Sequence, residues 1–94
     1  MSSAVIRYRT KPEAADENQR LIEKVFAELA TEAPAGLTYS SFRLADGVTF
    51  VHVVDGDGLT ELAAFQEFQR TFGDRVAEGP DREESTLIGS YVPA

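Results

Sequence analysis

Apolar and polar residues alternate from Tyr39 to Asp55, YSSFRLADGVTFVHVVD, with a break at Asp46-Gly47. This pattern predicts a β-hairpin, because a type I′ turn needs positive φ at both central residues and Asp-Gly tolerates it. Counting outward from that turn sets Phe42 opposite Val51, Ser41 opposite His52 and Ser40 opposite Val53. Side chains alternate along a strand. One side of the hairpin therefore carries Ser40, Phe42, Leu44, Thr49, Val51 and Val53, and the other carries Tyr39, Ser41, Arg43, Val48, Phe50, His52 and Val54. The first set reads as core. The second mixes apolar residues with hydroxyls, a cation and the only histidine, which makes it the candidate for pocket chemistry.

The same reading extends to the rest of the chain. Ala4 to Arg9 is dense in β-formers and predicts a first strand. Thr10-Lys11-Pro12-Glu13 has the form of a capping box and predicts a helix start. Asn18, Leu21, Ile22, Val25, Phe26 and Leu29 then recur at helical spacing, opposite a charged face. That helix should end near Ala33, before Pro34 and Gly36. Asp55-Gly56-Asp57-Gly58 reads as a strand-to-helix turn, too short for an EF-hand loop. Thr60 is the expected N-cap of a second helix, with Leu62, Phe65, Phe68, Phe72 and Val76 on one face and Gly79-Pro80 at its end. Asp81 to Glu84 then reads as a charged connector, and Ser85 to Val92 as the fourth strand.

The resulting order is βαββαβ in one domain, residues 1–94. Right-handed crossovers place both helices on one face of a four-stranded antiparallel sheet, an α+β ferredoxin-like arrangement. The other face is then bare. With Phe50, Val54, Tyr39 and Val5 or Ile6 assigned to it, it would expose more apolar surface than a monomer usually carries, which predicts a homodimer.

Composition narrows the function. A 94-residue chain buries only roughly 60 to 65% of its unfolded surface, so a pocket should be shallow or shared between subunits. The absence of cysteine removes disulfides, thiolate nucleophiles and cysteine-bound metals, and makes the cytoplasm the default location. One histidine and scattered carboxylates predict no dedicated metal site. MSSAVIRYRT lacks a signal-peptide pattern and no apolar run is long enough to span a bilayer, so a soluble chain without membrane partners is expected. The net charge of −7 argues against nucleic acid.

The chain resembles the dimeric α+β barrel superfamily, and within it the small proteins of the antibiotic biosynthesis monooxygenase-like group. The resemblance rests on the element order, on IRYRTKPEAADENQRLIEKVFAEL, and on FRLADGVTFVHV followed by FQEFQRTFGDRV. It implies a homodimer whose two sheets close on each other. It further implies that, as in some members, aromatic substrates are oxidised with O₂ and no bound cofactor, whereas others have no known activity. The haem-degrading branch uses an asparagine, tryptophan and histidine set, and this chain has no tryptophan.

His52 is the candidate catalytic base, with an ordinary pKa suited to moving a proton near neutrality. The competing reading is a histidine packed in the sheet and hydrogen-bonded to Ser41. Arg43, Tyr39, Ser41, Arg7 and Phe50 are the candidate ligand-binding residues. Arg43 and His52 are diagonal neighbours in the predicted register, on the face expected to lie away from the helices. Arg7 is expected in a central strand buried on both faces, where it would need an anion. Ser41 sits in no nucleophile elbow, which argues against a hydrolase. Two classes follow: a small-molecule site for an aromatic or anionic compound, as binder or cofactor-free monooxygenase, and a dimeric structural or interaction domain without chemistry.

Overall fold

Pairing between the alternating runs decides the architecture. The computed structural model describes residues 3–93, so Met1, Ser2 and Ala94 of the expected domain lie outside the described residues. The strands are β1 (Ser3–Thr10), β2 (Thr38–Arg43), β3 (Thr49–Asp55) and β4 (Val76–Ser85). The helices are α1 (Ala15–Glu32), α2 (Ala63–Arg70) and the four-residue α3 (Phe72–Arg75), with 3₁₀ turns at Pro12–Ala14 and Leu59–Glu61. The strands lie in the order β2-β3-β1-β4, each antiparallel to its neighbour. Helices cover one face of this sheet, giving the expected ferredoxin-like α+β fold.

Helix α1 buries Ala15, Asn18, Leu21, Ile22 and Val25 against the sheet, as its spacing predicts. It ends at Ala33, which takes a left-handed conformation (φ 43°) and donates its N–H to Leu29 O at 2.8 Å. The expected capping box does not form. Thr10 is instead the last residue of β1, and its hydroxyl donates to Val48 O across the sheet at 3.3 Å.

The hairpin register is the one counted from Asp46-Gly47, with Ser40 opposite Val53, Ser41 opposite His52 and Phe42 opposite Val51. The turn is not type I′, because only Gly47 of the pair has positive φ. The Asp46 carboxylate instead accepts the N–H groups of Val48 and Thr49 at 3.0 and 2.9 Å. The Thr49 hydroxyl, followed by those two backbone bonds, holds its pKa down at about 2. Leu44 N donates to Thr49 O, so Ala45 to Val48 form a four-residue loop. Both loop types centre on the same two residues and therefore give the same pairing.

The two sheet faces are the reverse of the expectation. Tyr39, Phe50, His52 and Val54 point toward the helices, with Ile6 and Tyr8 of β1 beside them in the core. Val5, Val51, Val53 and Phe42 lie on the uncovered side, where Phe42 is 55% exposed. Alternation separates the two sets but does not say which meets a helix, and here both sets are apolar enough to be covered.

The second helical segment and the fourth strand also differ from the expectation. Thr60 lies in the 3₁₀ turn and is not an N-cap; the first N–H groups of α2, from Ala63 and Ala64, donate to Glu28 of α1 at 3.3 and 2.7 Å. Gly79-Pro80 stands within β4 rather than closing a helix, and Asp81 to Glu84 belong to the strand. Residues 86–93 are outside the sheet, with Leu87, Ile88, Tyr91 and Val92 all at least 66% exposed. β4 is an edge strand, where charged residues and a proline cost little because one row of backbone groups needs no partner.

Gly56 has φ 97°, and a Cβ there would sit 2.0 Å from Gly36 O; Gly47 has φ 79° with open space around it. Gly56→Ala should therefore destabilise by more than about 3 kcal/mol, and Gly47→Ala by only about 1 to 2 kcal/mol. Urea denaturation of both variants measures the difference.

Candidate functional site

Between the sheet and α2 lies a cavity of about 400 Å³, open to solvent. Ile6, Tyr8, Tyr39, His52 and Val54 form its floor, the 56–60 turn one side, and Phe65, Phe68, Gln69 and Phe72 its roof, with Pro80 and Arg82 of β4 also lining it. The lining follows from strand alternation and helical spacing meeting: β1 and β3 present every second residue upward, while α2 presents Phe65 and Phe68 downward. Tyr8 stacks beside Phe50 and His52 at 5.7 and 5.3 Å, and meets Phe72 edge-on at 4.8 Å. Tyr39 stacks on Phe26 of α1 at 5.0 Å.

A chain of polar groups runs through this aromatic wall. Arg75 Nε donates to Asn18 Oδ1 at 2.9 Å, and Asn18 Nδ2 donates to Tyr8 Oη at 2.8 Å. Tyr8 Oη lies 2.8 Å from His52 Nε2. On the other side of the ring, Tyr39 Oη and Ser41 Oγ lie 2.6 and 2.9 Å from Nδ1. Arg75 also donates to the Thr71 hydroxyl and to Phe68 O, and its guanidinium lies 4.9 Å from the Phe68 ring centroid. Asn18 is fully buried, and Tyr8, His52 and Arg75 are each no more than 4% exposed.

Burial sets the protonation of these groups. It lowers the His52 pKa from 6.5 to about 4, so the imidazole is neutral at pH 7. It pushes Tyr39 up to about 12 and Tyr8 higher still, so both phenols keep their hydrogens. The same desolvation lowers Arg75 from its ordinary value, though a guanidinium stays charged. At the rim stand one acid, Asp57, and one cation, Arg82.

No family model matches the chain, and no curated protein does. Solved structures do match. Rv0793 from Mycobacterium tuberculosis superposes with a TM-score of 0.75 at 14% identity, over 97% of this chain and 98% of its own. A proposed antibiotic biosynthesis monooxygenase from Bacteroides thetaiotaomicron gives 0.78 at 11% identity, over 99% and 94%. Another from Nitrosomonas europaea gives 0.76 at 14% identity, over 93% and 89%. The chain has the antibiotic biosynthesis monooxygenase-like fold. At such identities the likeness concerns the fold alone.

Within that monooxygenase-like fold the expected site residues separate. His52 and Tyr39 line the cavity. Ser41 reaches it only through Nδ1 of His52, and Phe50 lies beside Tyr8 without lining it. Arg43 shares their face but turns to α1, donating to Asp16 Oδ1 at 3.1 Å and Gln19 Oε1 at 2.7 Å. It is therefore not a cavity cation. Arg7 is exposed on the opposite face, across from Asp81 and Val51, because that face has no second layer. Tyr8, Asn18, Arg75 and Arg82 were not singled out from the sequence. The signal available was Asn18, a polar residue inside the apolar stripe of α1, which a buried amide partner explains.

Because the native state refuses a proton that the unfolded chain accepts, His52 should make stability fall as pH drops from 6.5 toward about 4, levelling off below. Between pH 7 and pH 4.5 the loss should be roughly 2 to 3 kcal/mol. Urea denaturation at both pH values, compared with His52→Gln to subtract the carboxylates, checks it.

Proposed function

We propose that this protein binds a small planar aromatic molecule in the cavity under α2, and acts on it as a cofactor-independent oxygenase. The observation that carries the reading is the cavity itself, open, walled by aromatic rings and holding two phenols and an imidazole at one end. Its volume falls in the range of small-molecule sites, and a few polar groups in an apolar wall fix a ligand's orientation. The alternative of a purely structural domain fits less well, since a cleft of that kind would be filled: Tyr39 lines the space rather than closing it, Phe50 is packed outside its lining, and Tyr91 stands away on the terminal segment.

Oxygenation of an activated methylene needs only substrate and O₂: R₂CH₂ + O₂ gives R₂C=O and water, with the substrate supplying both electrons and hydrogens. The residues' part is to exclude bulk water and hold the ring. His52 takes no proton here at neutral pH, because its pKa is low and both ring nitrogens face protein groups. It orients Tyr39 instead.

The working unit we propose is a homodimer. Val5, Val51, Val53 and Phe42 form an apolar strip with no helix above it, and burying such a strip contributes roughly 25 cal/mol per Å² before association costs.

2-Naphthol should bind one per chain by calorimetry and Val54→Trp, which fills the cavity, should abolish it; no binding to the unmodified protein overturns the cavity reading. Oxygen uptake on adding an aromatic with an activated methylene, such as a hydroxylated fluorene, tests catalysis, and its absence with bound ligand leaves a binding protein. For the dimer, sedimentation should give two chains per particle and Val51→Asp a folded monomer, since Val51 lies away from the core.

A further inference from the structure

The polar chain behind the cavity has a direction, and its buried end sets it. A guanidinium has donors and no acceptor. Among the described residues the ion pairs involve Arg9, Arg20, Lys24, Arg43 and Arg82, and none involves Arg75. Its partners are neutral oxygens of Asn18, Thr71 and Phe68. The Asn18 oxygen thus accepts from Arg75, which leaves the amide nitrogen to face Tyr8 and donate to it. Tyr8 has one hydrogen, and His52 Nε2 at 2.8 Å is the acceptor facing it. A neutral imidazole that accepts at Nε2 carries its hydrogen on Nδ1. That N–H meets the oxygens of Tyr39 and Ser41. None of these contacts uses the hydrogen of Tyr39.

We propose that Arg75, Asn18, Tyr8 and His52 form a one-way series of donors ending on the Tyr39 hydroxyl, so that the cavity selects aromatic ligands presenting an acceptor oxygen, a carbonyl or aryloxide. This rests on the reading of the cavity as a small-molecule site. Tyr39 is the contact residue, and Arg75 and Asn18 are positioning residues that act through it. The order of atoms also explains an otherwise costly feature, a buried cation with no carboxylate in ion-pair contact among the described residues: a carboxylate in the Asn18 position would compensate the charge but reverse the series, taking the Tyr8 hydrogen for itself. His52 would then have to donate from Nε2 and accept at Nδ1, and Tyr39 would spend its hydrogen on the ring. The rim does not supply this selectivity, since Asp57 and Arg82 there have opposite charges.

The chain contains a single histidine, so ¹⁵N–¹H correlation of the imidazole reads its tautomer directly at pH 7 without a ligand. The Nδ1–H form is expected in the unmodified protein. Asn18→Asp, nearly isosteric and able to pair with Arg75, should convert it to Nε2–H; Arg75→Met, which frees the amide to rotate, should give a mixture. An Nε2–H tautomer in the unmodified protein, or no change on Asn18→Asp, overturns the series. The ligand half is read by titrating 1-indanone against indane, which differ by the carbonyl. The ketone should bind roughly tenfold tighter, as one added hydrogen bond allows, and in Tyr39→Phe the ratio of the two affinities should fall to about one. Equal binding of the two by the unmodified protein overturns the selectivity with the cavity intact. Failure of both to bind, with the Nδ1–H tautomer found, overturns the small-molecule reading and the selectivity with it.

Discussion

The helical face of this sheet depends on one requirement: polar groups placed in a dry interior must all find partners. An unpaired buried amide, hydroxyl or imidazole costs about 1 to 3 kcal/mol, a large share of a small domain's stability. Tyr8, Asn18, His52 and Arg75 meet the requirement only together, each closing a bond the next one needs. Four separate elements are tied by it: β1 and β3 through Tyr8 and His52, α1 through Asn18, and α3 through Arg75. Replacing one member by an apolar residue would orphan its neighbours, so the network specifies the arrangement of α3 against the sheet as much as it stabilises it.

The cavity is a consequence of the same packing. Arg75 holds the end of the second helical segment down on Asn18 and on its own preceding turn through Thr71 and Phe68. Glu28 holds the other end by accepting the first N–H groups of α2. Pinned at both ends, α2 spans the sheet with phenylalanines that touch one another and the Tyr8 and His52 rings without filling the space toward β4. Stacked rings on one wall and hydrogen-bonded tips on another leave few side-chain rotations free, so the cavity is preformed.

Much of the fold was legible in the chain. The hairpin could be registered to the residue from Asp46-Gly47, and α1 could be bounded from its apolar stripe to Pro34, because those features are set by contacts within a few residues. The failures share a different cause. Thr10 has the chemistry of a cap but its hydroxyl is taken by Val48 of another strand, and Thr60 loses its capping role to Glu28, 32 positions earlier. The fourth strand was misplaced because VAEGPDREES has the composition of a loop, and an edge position tolerates that composition. Of the candidate residues, His52 and Tyr39, grouped by their types and their shared face, both line the cavity. Arg43 and Arg7 do not line it: Asp16 draws Arg43 toward α1, and Arg7 is exposed on the face without helices, placements that depend on groups distant in the chain.

The sequence by itself determined the order of elements, the pairing of β2 with β3 and the grouping of His52, Tyr39, Ser41 and Arg43 on one side of a strand pair, since alternation and turn chemistry are local rules. Only the tertiary structure decided which side of the sheet the helices cover, and so whether His52 stands in the open or in the core. It alone brought Asn18 and Arg75, 57 positions apart, into the bond that orients Tyr8. The physical reason is that both sets of strand side chains were apolar enough to be buried. The helical side is the one on which Tyr8 and His52 meet Asn18 and Arg75, partners that no local pattern in the chain identifies.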